Sequence, residues 1–447
     1  MRTLSRKVAL SLDFSSPKHY NLNMQFYEVQ PFSPRKGALI EPQVPASKSL
    51  LNRALLAAAL SKGSVRLLCG ALSEDTRAML GCLNALGIQI RRLPDGICVF
   101  GCGGKFPQSE ASLDVRSAGT VARFLTVALA FAGGTYTITA SPQMRKRPME
   151  ILSVLEKAGV DIEYLGERGT FPFRMRSTGM IADEFTVDTD LSTQYASGLI
   201  LAAAFIRPIT LHLRGSRTQG SYIEMTLRLI RAFGADWTRE GGTLRIAPAI
   251  KSPACFEVEN DLSAACYFYA LSLLFGMRVR VGHIHRNTDQ GDIRFLGLLE
   301  EKGVKFSDTP EGLLADGRNI PSFTGWDADM RDFSDQALTL AALAPFATTP
   351  TRIRGIGHIR NQECDRIRAI EENMAALGVP VSVAADEVQI FPAPVHGGTI
   401  RTYEDHRVAM AFTLIGLKSG NVTIEDPQCC KKTFENYFEA IDALTKS

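Results

Sequence analysis

One motif recurs along the chain, and no other feature restricts the fold as much. An amphipathic helical run closes on a glycine that a small apolar residue follows. DTRAMLGCLNALGI carries Gly87, MEILSVLEKAGV Gly159, YIEMTLRLIRAFGA Gly234, GDIRFLGLLEEKGV Gly303 and DRIRAIEENMAALGV Gly378. These glycines fall 69–75 residues apart. A sixth copy, FENYFEAIDAL, runs into the C-terminus without its glycine. Glycine suits the left-handed position that ends a helix. The apolar residues recur at helical spacing with Arg, Glu or Lys between them, as on a half-buried helix. A more apolar run precedes each copy: NRALLAAAL, VARFLTVALAFA, QYASGLILAAAF, AACYFYALSLLF, QALTLAALAPFA and RVAMAFTLIGL. Being apolar nearly all round, these predict helices inside a core. A short β run follows each: VRLLC, YTIT, ITLHL, VRVGHI, TRIRGI and VTIE.

Every unit therefore reads buried helix, turn, strand, loop, surface helix, strand. Six such units predict an α/β chain of two groups of three, each group making one core from its three buried helices. Hinges are expected near Pro45-Ala46 and Glu259-Asn260. One domain then spans 47–259, with units one to three. The other spans 24–46 and 260–447, with units four to six and the N-terminal strand. The repeats alone also allow a parallel solenoid.

Composition excludes several other classes. With 45% hydrophobic and 22% charged residues, neither disorder nor a coiled coil fits. A net charge of +3 over 447 residues is too weak for a nucleic-acid partner. No apolar run reaches the ~18 residues of a membrane span. Nine cysteines give an odd count without a pairing framework. Cys98 and Cys102 lack a second pair at zinc spacing, and Cys429 adjoins Cys430. Free thiols in a reducing cytosol, without metal, are expected. Met1–Asn23 holds Arg2, Arg6, Lys7 and Lys18, several serines and one acid. It is expected to be a disordered extension or an upstream start, with a short organellar targeting segment as the other reading.

Polar residues cluster where the buried helices begin. Unit one offers Ser47, Lys48, Ser49 and Arg53; unit two offers Ser117, Gly119, Thr120 and Arg123; unit three offers Ser192, Thr193 and Gln194. Units four to six offer Asp261 and Ser263, then Asp335, then Asp405, His406 and Arg407. Helix N-termini present free N–H groups and a positive dipole end, and so attract anions. One end contributes only about 0.3–1 kcal/mol, whereas micromolar binding needs about 8 kcal/mol. Several ends must converge, aided by cations. Any one Ser, Thr or Asp there could be a plain cap. Lys48, Arg53, Arg123 and Arg407 are not caps, because a cation at a positive helix end is unfavourable without an anion. Further basic runs, Arg145-Lys146-Arg147 and Lys431-Lys432, and the segment holding Glu363 and Arg366, each precede a surface helix. The chemistry predicted is a cleft for small phosphorylated anions between two halves.

PASKSLLNR, SAGTVARF, STQY, GDIRF, ECDR, EDHRVAM and KKTF, in that order, resemble the 5-enolpyruvylshikimate-3-phosphate synthase family. The resemblance runs from Met24 onward. It implies a two-domain inverse α/β barrel of six βαβαββ units, three per domain. It also implies transfer of the enolpyruvyl group of phosphoenolpyruvate to the 5-hydroxyl of shikimate 3-phosphate through a tetrahedral adduct, with no metal or organic cofactor and a monomeric enzyme. By resemblance, Lys48, Ser49, Arg53, Ser192, Thr193, Gln194, Tyr222, Asp335, His358 and Gln362 would meet shikimate 3-phosphate. Lys48, Gly119, Arg123, Arg145, Gln194, Arg366, Arg407 and Lys432 would meet phosphoenolpyruvate. Asp335 and Glu363 would be the acid–base carboxylates, with Lys48 as an alternative acid. His406, at a helix start before Arg407, reads as a positioning group, with a catalytic acid as the other reading.

Some positions depart from the family pattern. Gln143 stands where Arg is common, and Arg145 is expected to replace its charge. Gln362 stands where Lys is usual, His358 where Asn is frequent, and Gln219 near an expected serine. Ser117 and Phe124 also differ. Three rivals follow: the related transferase of cell-wall synthesis, whose catalytic cysteine the loop Ser141–Pro148 lacks; a divergent carboxyvinyl transferase on another cyclic alcohol; and a non-catalytic anion-binding relative.

Overall fold

The six apolar runs form helices, at Lys48–Leu60, Gly119–Ala132, Thr193–Phe205, Leu262–Phe275, Ala337–Leu343 and His406–Ser419. The computed structural model describes residues 25–35, 37–179 and 181–446, so the expectation for Met1–Asn23 lies outside the described residues. The fifth helix is shorter than its apolar run. One turn of 3-10 helix, Ser334–Gln336, precedes it and another, Ala344–Phe346, follows. Pro345 has no N–H to give and its ring collides with the preceding turn, so the α-helix stops before it.

In units two, three, five and six the core helix joins two parallel strands, and in all units but the sixth a hairpin lies beyond the second. In unit two, Glu110–Asp114 runs parallel to Gly134–Thr139. That strand pairs antiparallel with Phe173–Ser177, which pairs in turn with Asp161–Tyr164. This is the βαβαββ unit, with a leading strand and a hairpin strand beyond the helix–strand reading. Among the described residues it occurs as five four-stranded sheets and one of three strands.

Three units borrow strands from elsewhere in the chain. Cys255–Glu257 supplies the leading strand of unit one, beside Lys62–Leu68. Leu39–Ile40 supplies that of unit four, beside Arg278–Val281. Phe26–Val29 completes unit six, antiparallel to Val422–Glu425. The predicted strand VRVGHI thus ends at Val281; His283 follows on a turn at φ 52°, exposed beside Glu257.

Two hydrophobic cores result. One draws on Ala46 to Val258, the other on Tyr27 to Val44 and Leu262 to Ile441. Within each core the three helices touch one another. Solenoid units contact only their neighbours, so this closed packing rules that alternative out. The two segments that pass between the cores lie side by side. Ala46 bridges Asn260, Ser47 N–H donates to Glu259 O (2.9 Å), and Asp261 N–H donates to Pro45 O (2.8 Å). Among the described residues no helix is long and apolar enough to cross a membrane.

Candidate active site

All six core helices begin at one cavity of about 940 Å³ between the two cores. Ser47, Asp261 and Asp405 cap their helices, accepting N–H bonds from Leu50, Ala264 and Arg407. The caps fix where each chain turns in, and so where the next side chains point. Lys48, Ser49, Gly119, Arg123, Ser192, Thr193, Gln194, Tyr222, Asp335, His358, Gln362, Glu363, Arg366 and Arg407 all line this cavity.

Asp335 lines it and gathers three donors. Arg366 donates to its Oδ1 (3.0 Å), and Arg407 and the Tyr222 hydroxyl donate to its Oδ2 (2.9 Å each). Burial opposes the Asp335 charge, but Arg407 and Arg366 outweigh it and hold the carboxyl well below the usual range. The same carboxylate, aided by burial, pushes the Tyr222 phenol far up, so that it remains a donor. Arg366 is itself fixed by Asp405 (2.7 and 3.3 Å) and donates to the Gln362 amide oxygen. Asp405 therefore caps one helix while aiming a guanidinium from another.

A second carboxylate repeats the pattern. Glu363 accepts from Lys432, and Arg147 lies 3.7 Å from it. Burial again works against its charge, yet Lys432, Arg147 and Lys48 lower it to about 2. Lys48 itself is 3.4 Å from Asp75. Lys432 lines a smaller adjoining cavity of about 290 Å³, which shares Asp75, Gln143 and Glu404 with the larger one.

Arg53 also lines the cavity, although it is fully buried. It donates to Thr226 Oγ1 (2.8 Å), Ser49 O (2.7 Å), Ser197 Oγ (3.1 Å) and Tyr222 O (3.3 Å), and stacks over Phe124 at 4.9 Å. Burial lowers its pKa to about 10. Arg123 donates to the Gln194 side-chain oxygen (2.8 Å), joining units two and three. Its Nη1 would stand 2.8 Å from a Cβ on Gly119, so a side chain there would crowd the cation. His358 bonds Ser334 (2.8 Å), and burial, then Arg217, lowers its pKa. His406 is buried with neither ring nitrogen bonded. Burial, then Lys48 and Arg407, drives its pKa far down, so it stands as a neutral ring.

One expected residue stands elsewhere. Arg145 is exposed outside the cavity, its Nε turned back onto Ala140 O (2.9 Å) at the end of the one-turn helix Pro142–Arg145. The next turn carries Arg147 inward instead, beside Glu363. Three more charged groups went unnoticed in the sequence: Asp75, Arg217 and Asp292. Arg217 lines the cavity while its Nη2 holds Asp190 O (2.6 Å). Asp292 accepts from Gln336 (2.8 Å) and Ser263, and burial, then Asp335, pushes it up to about 6. Asp292 has a sequence signal in the GDIRF run, as Arg147 has in its basic loop.

The arrangement suits a small molecule with more than one anionic group. Basic side chains flank two carboxylates of one cavity, and incoming anions can compete for those same cations.

Comparison with known proteins adds to this geometry. The model of the family described as EPSP synthase (3-phosphoshikimate 1-carboxyvinyltransferase) matches residues 31–441. The chain is 39% identical over 402 residues to a 3-phosphoshikimate 1-carboxyvinyltransferase of Nostoc punctiforme, covering 89% of this chain and 94% of that protein. It is 36% identical over 430 residues to the protein of the same name from Cellvibrio japonicus, covering 94% and 100%. Among solved structures, EPSP synthase from Acinetobacter baumannii superposes with a TM-score of 0.76 at 22% identity, over 94% of this chain and 98% of that one. The enolpyruvyl transferase NikO from Streptomyces tendae gives 0.69 at 17% identity, over 94% and 96%. The structural likenesses show the two-domain α/β fold.

Proposed function

The chain belongs to the EPSP synthase family, and from the geometry of its cleft we infer how it performs that family's reaction. Its activity is that of a 3-phosphoshikimate 1-carboxyvinyltransferase in the shikimate pathway to chorismate and the aromatic amino acids. The enolpyruvyl group of phosphoenolpyruvate passes to the 5-hydroxyl of shikimate 3-phosphate, and inorganic phosphate leaves.

Shikimate 3-phosphate lies against Lys48, Ser49, Ser192, Thr193, Gln194 and Tyr222 in this proposal, with Arg217 adding the charge that Gln362 lacks. Arg53 holds this wall. Phosphoenolpyruvate lies against Lys48, Gly119, Arg123, Arg147, Arg366, Arg407 and Lys432. Each charge-assisted bond is worth about 1.5–3 kcal/mol, so a few suffice for micromolar affinity. Arg366 and Arg407 neutralise Asp335 and make it a weak base. Phosphoenolpyruvate draws those guanidiniums onto its own anionic groups and so raises the basicity of Asp335 next to the hydroxyl. The hydroxyl oxygen bonds to C2 of phosphoenolpyruvate as its proton passes to Asp335. As its own cations are drawn off, Glu363 takes up a proton from solvent and passes it to the methylene carbon, which becomes a methyl; Lys48 is the second group placed to supply it. Elimination reverses the carbon step: Glu363 takes a methyl proton, the C2–O bond to phosphate breaks, and phosphate leaves with the proton from Asp335. The cations offset the charge that collects on the adduct.

Closure between 47–259 and 24–46 with 260–447, about the paired segments near Ala46 and Asn260, would exclude water from this step. Nine free thiols support a reducing, cytoplasmic setting. The observation that carries the reading is the pair of carboxylates, each contacted by cations that a bound anion can claim. Phosphate release from the two substrates tests it. Asp335→Ala and Glu363→Ala should each lose about 10²–10⁴-fold in turnover, and Lys48→Ala should lose both affinity and rate. Full activity in either carboxylate variant would refute the assignment.

A further inference from the structure

The start of the helix Ser221–Ala232 belongs to the first core, yet it is seated in the second half of the molecule. Ser221 rests between Gly291 and Asp332, with its hydroxyl toward Asp332 O at 3.4 Å. The next residue, Tyr222, places its hydroxyl on Asp335. A Cβ on Gly291 would stand 2.3 Å from Ser221 Oγ and 2.5 Å from Ser221 Cβ, closer than real side chains come. The φ of Gly291 lies outside the left-handed region, so its backbone does not demand glycine. What demands it is the approach of Ser221 from the other half.

The neighbours of Gly291 tie the same loop to the crossing segments and to the cavity. Gln290 accepts from Leu262 N–H (3.0 Å) and donates to Asn260 O (2.7 Å) and Glu259 Oε2 (3.0 Å), so it grips the segment that passes between the cores. Asp289 pairs with Arg228 across the same seam. Asp292 lies beside Ser263 and Gln336 beneath Asp335. Three consecutive residues thus touch the crossing segment, the opposing half and the cavity.

We infer that Gly291 is a positioning residue of the reaction: its missing side chain forms the seat into which Ser221 docks, and that seat sets how far the halves close and whether Tyr222 reaches Asp335. This rests on the closing cleft proposed above. A methyl group at 291 would hold the halves apart by roughly the length of a carbon–carbon bond. A displacement of that order at reacting groups costs on the order of 10²-fold in rate.

The test uses the full chain and four variants: Gly291→Ala, Ser221→Gly, the double variant and Ser221→Val. Phosphate release is measured with shikimate 3-phosphate and phosphoenolpyruvate, and the radius of gyration by small-angle scattering with and without both. Gly291→Ala should lose on the order of 10²-fold in kcat/KM and fail to reach the parent's compact radius, while its melting temperature stays at the parent's. Ser221→Gly should restore both readouts in the double variant. Ser221→Val, which fills the seat from the opposite side, should reproduce the loss. A Gly291→Ala chain that compacts and turns over like the parent overturns the inference, as does a loss that Ser221→Gly leaves unrelieved or a fully active Ser221→Val. A parent that compacts with both anions but releases no phosphate defeats the proposed reaction, while the scattering comparison still decides Gly291.

Discussion

Arg145 and Arg147 differ by two positions and by everything that matters to an anion. Arg145 ends a one-turn helix and donates to the Ala140 carbonyl outside the cavity, whereas Arg147 leaves the turn facing Glu363. Arg147→Ala should therefore raise the KM for phosphoenolpyruvate by about tenfold or more, the worth of one charge-assisted bond. Arg145→Ala should leave that KM near the parent's; steady-state kinetics on the two variants decides between them. Residue types were legible in the basic loop, but facing was not, because a tight turn reorients successive side chains without leaving a periodic pattern. Asp292 makes the same point about charge. Its burial becomes visible only once Gln336 and Ser263 are seen to surround it. A carboxyl near 3.9 in the unfolded chain but pushed up to about 6 by burial and by Asp335 binds its proton more tightly when folded. Stability is then favoured at low pH and falls as pH rises from about 4 through about 6, where the unfolded chain loses that proton first. Asp292→Asn has no such proton to lose. It should melt above the parent at pH ~7.5 and approach it towards pH ~4. A gap independent of pH would refute this.

At the scale of elements, the helix-closing glycines carried the most information, because one backbone need recurs in every unit. Gly87, Gly159, Gly234, Gly303 and Gly378 all have positive φ. They differ in surroundings. A Cβ on Gly159 would meet nothing within 4 Å, whereas one on Gly234 would stand 2.1 Å from Lys251 O. Gly159→Ala should cost only the left-handed strain of about 1–2 kcal/mol. Gly234→Ala should cost distinctly more, since backbone must also move. Urea melts of the two variants measure the difference, and equal losses would mean that strain alone matters. Other elements left little trace in the sequence. Leu39–Ile40 is a strand of two residues, defined by pairing with Arg278 and Val279 rather than by any alternation of its own. The hairpin strands were equally faint, being short and half exposed, as in the polar run Lys305–Thr309. Pro345 did signal the early end of the fifth core helix, but the apolar pattern around it reads as continuous.

At the scale of the molecule, convergence of the cleft follows from topology. Parallel strands joined by a core helix point every helix N-terminus to the same end of its group of three, and two groups facing each other enclose one cavity. The repeats made the six units legible, yet not which strands they exchange. Unit six depends on Phe26–Val29, which arrives from the opposite end of the sequence. Val29 is buried against Gly416 and paired with Val422, while Tyr27 donates to Asp442. The first core contains none of these contacts. Val29→Ala should therefore weaken the second core alone, by about 1.5 kcal/mol or more for the methyl groups lost. The chain reports on this directly, because it has two tryptophans, Trp237 packed on the first core and Trp326 buried in the second. In a Trp237→Phe background, Val29→Ala should move the Trp326 unfolding transition to lower denaturant. In a Trp326→Phe background, the Trp237 transition should stay in place. Two chain crossings and a seam of polar contacts would then couple the cores too weakly to make them unfold as one. Equal shifts at both tryptophans would instead mean that the halves form a single cooperative unit, and closure would have to be a deformation within that unit rather than a movement between two bodies.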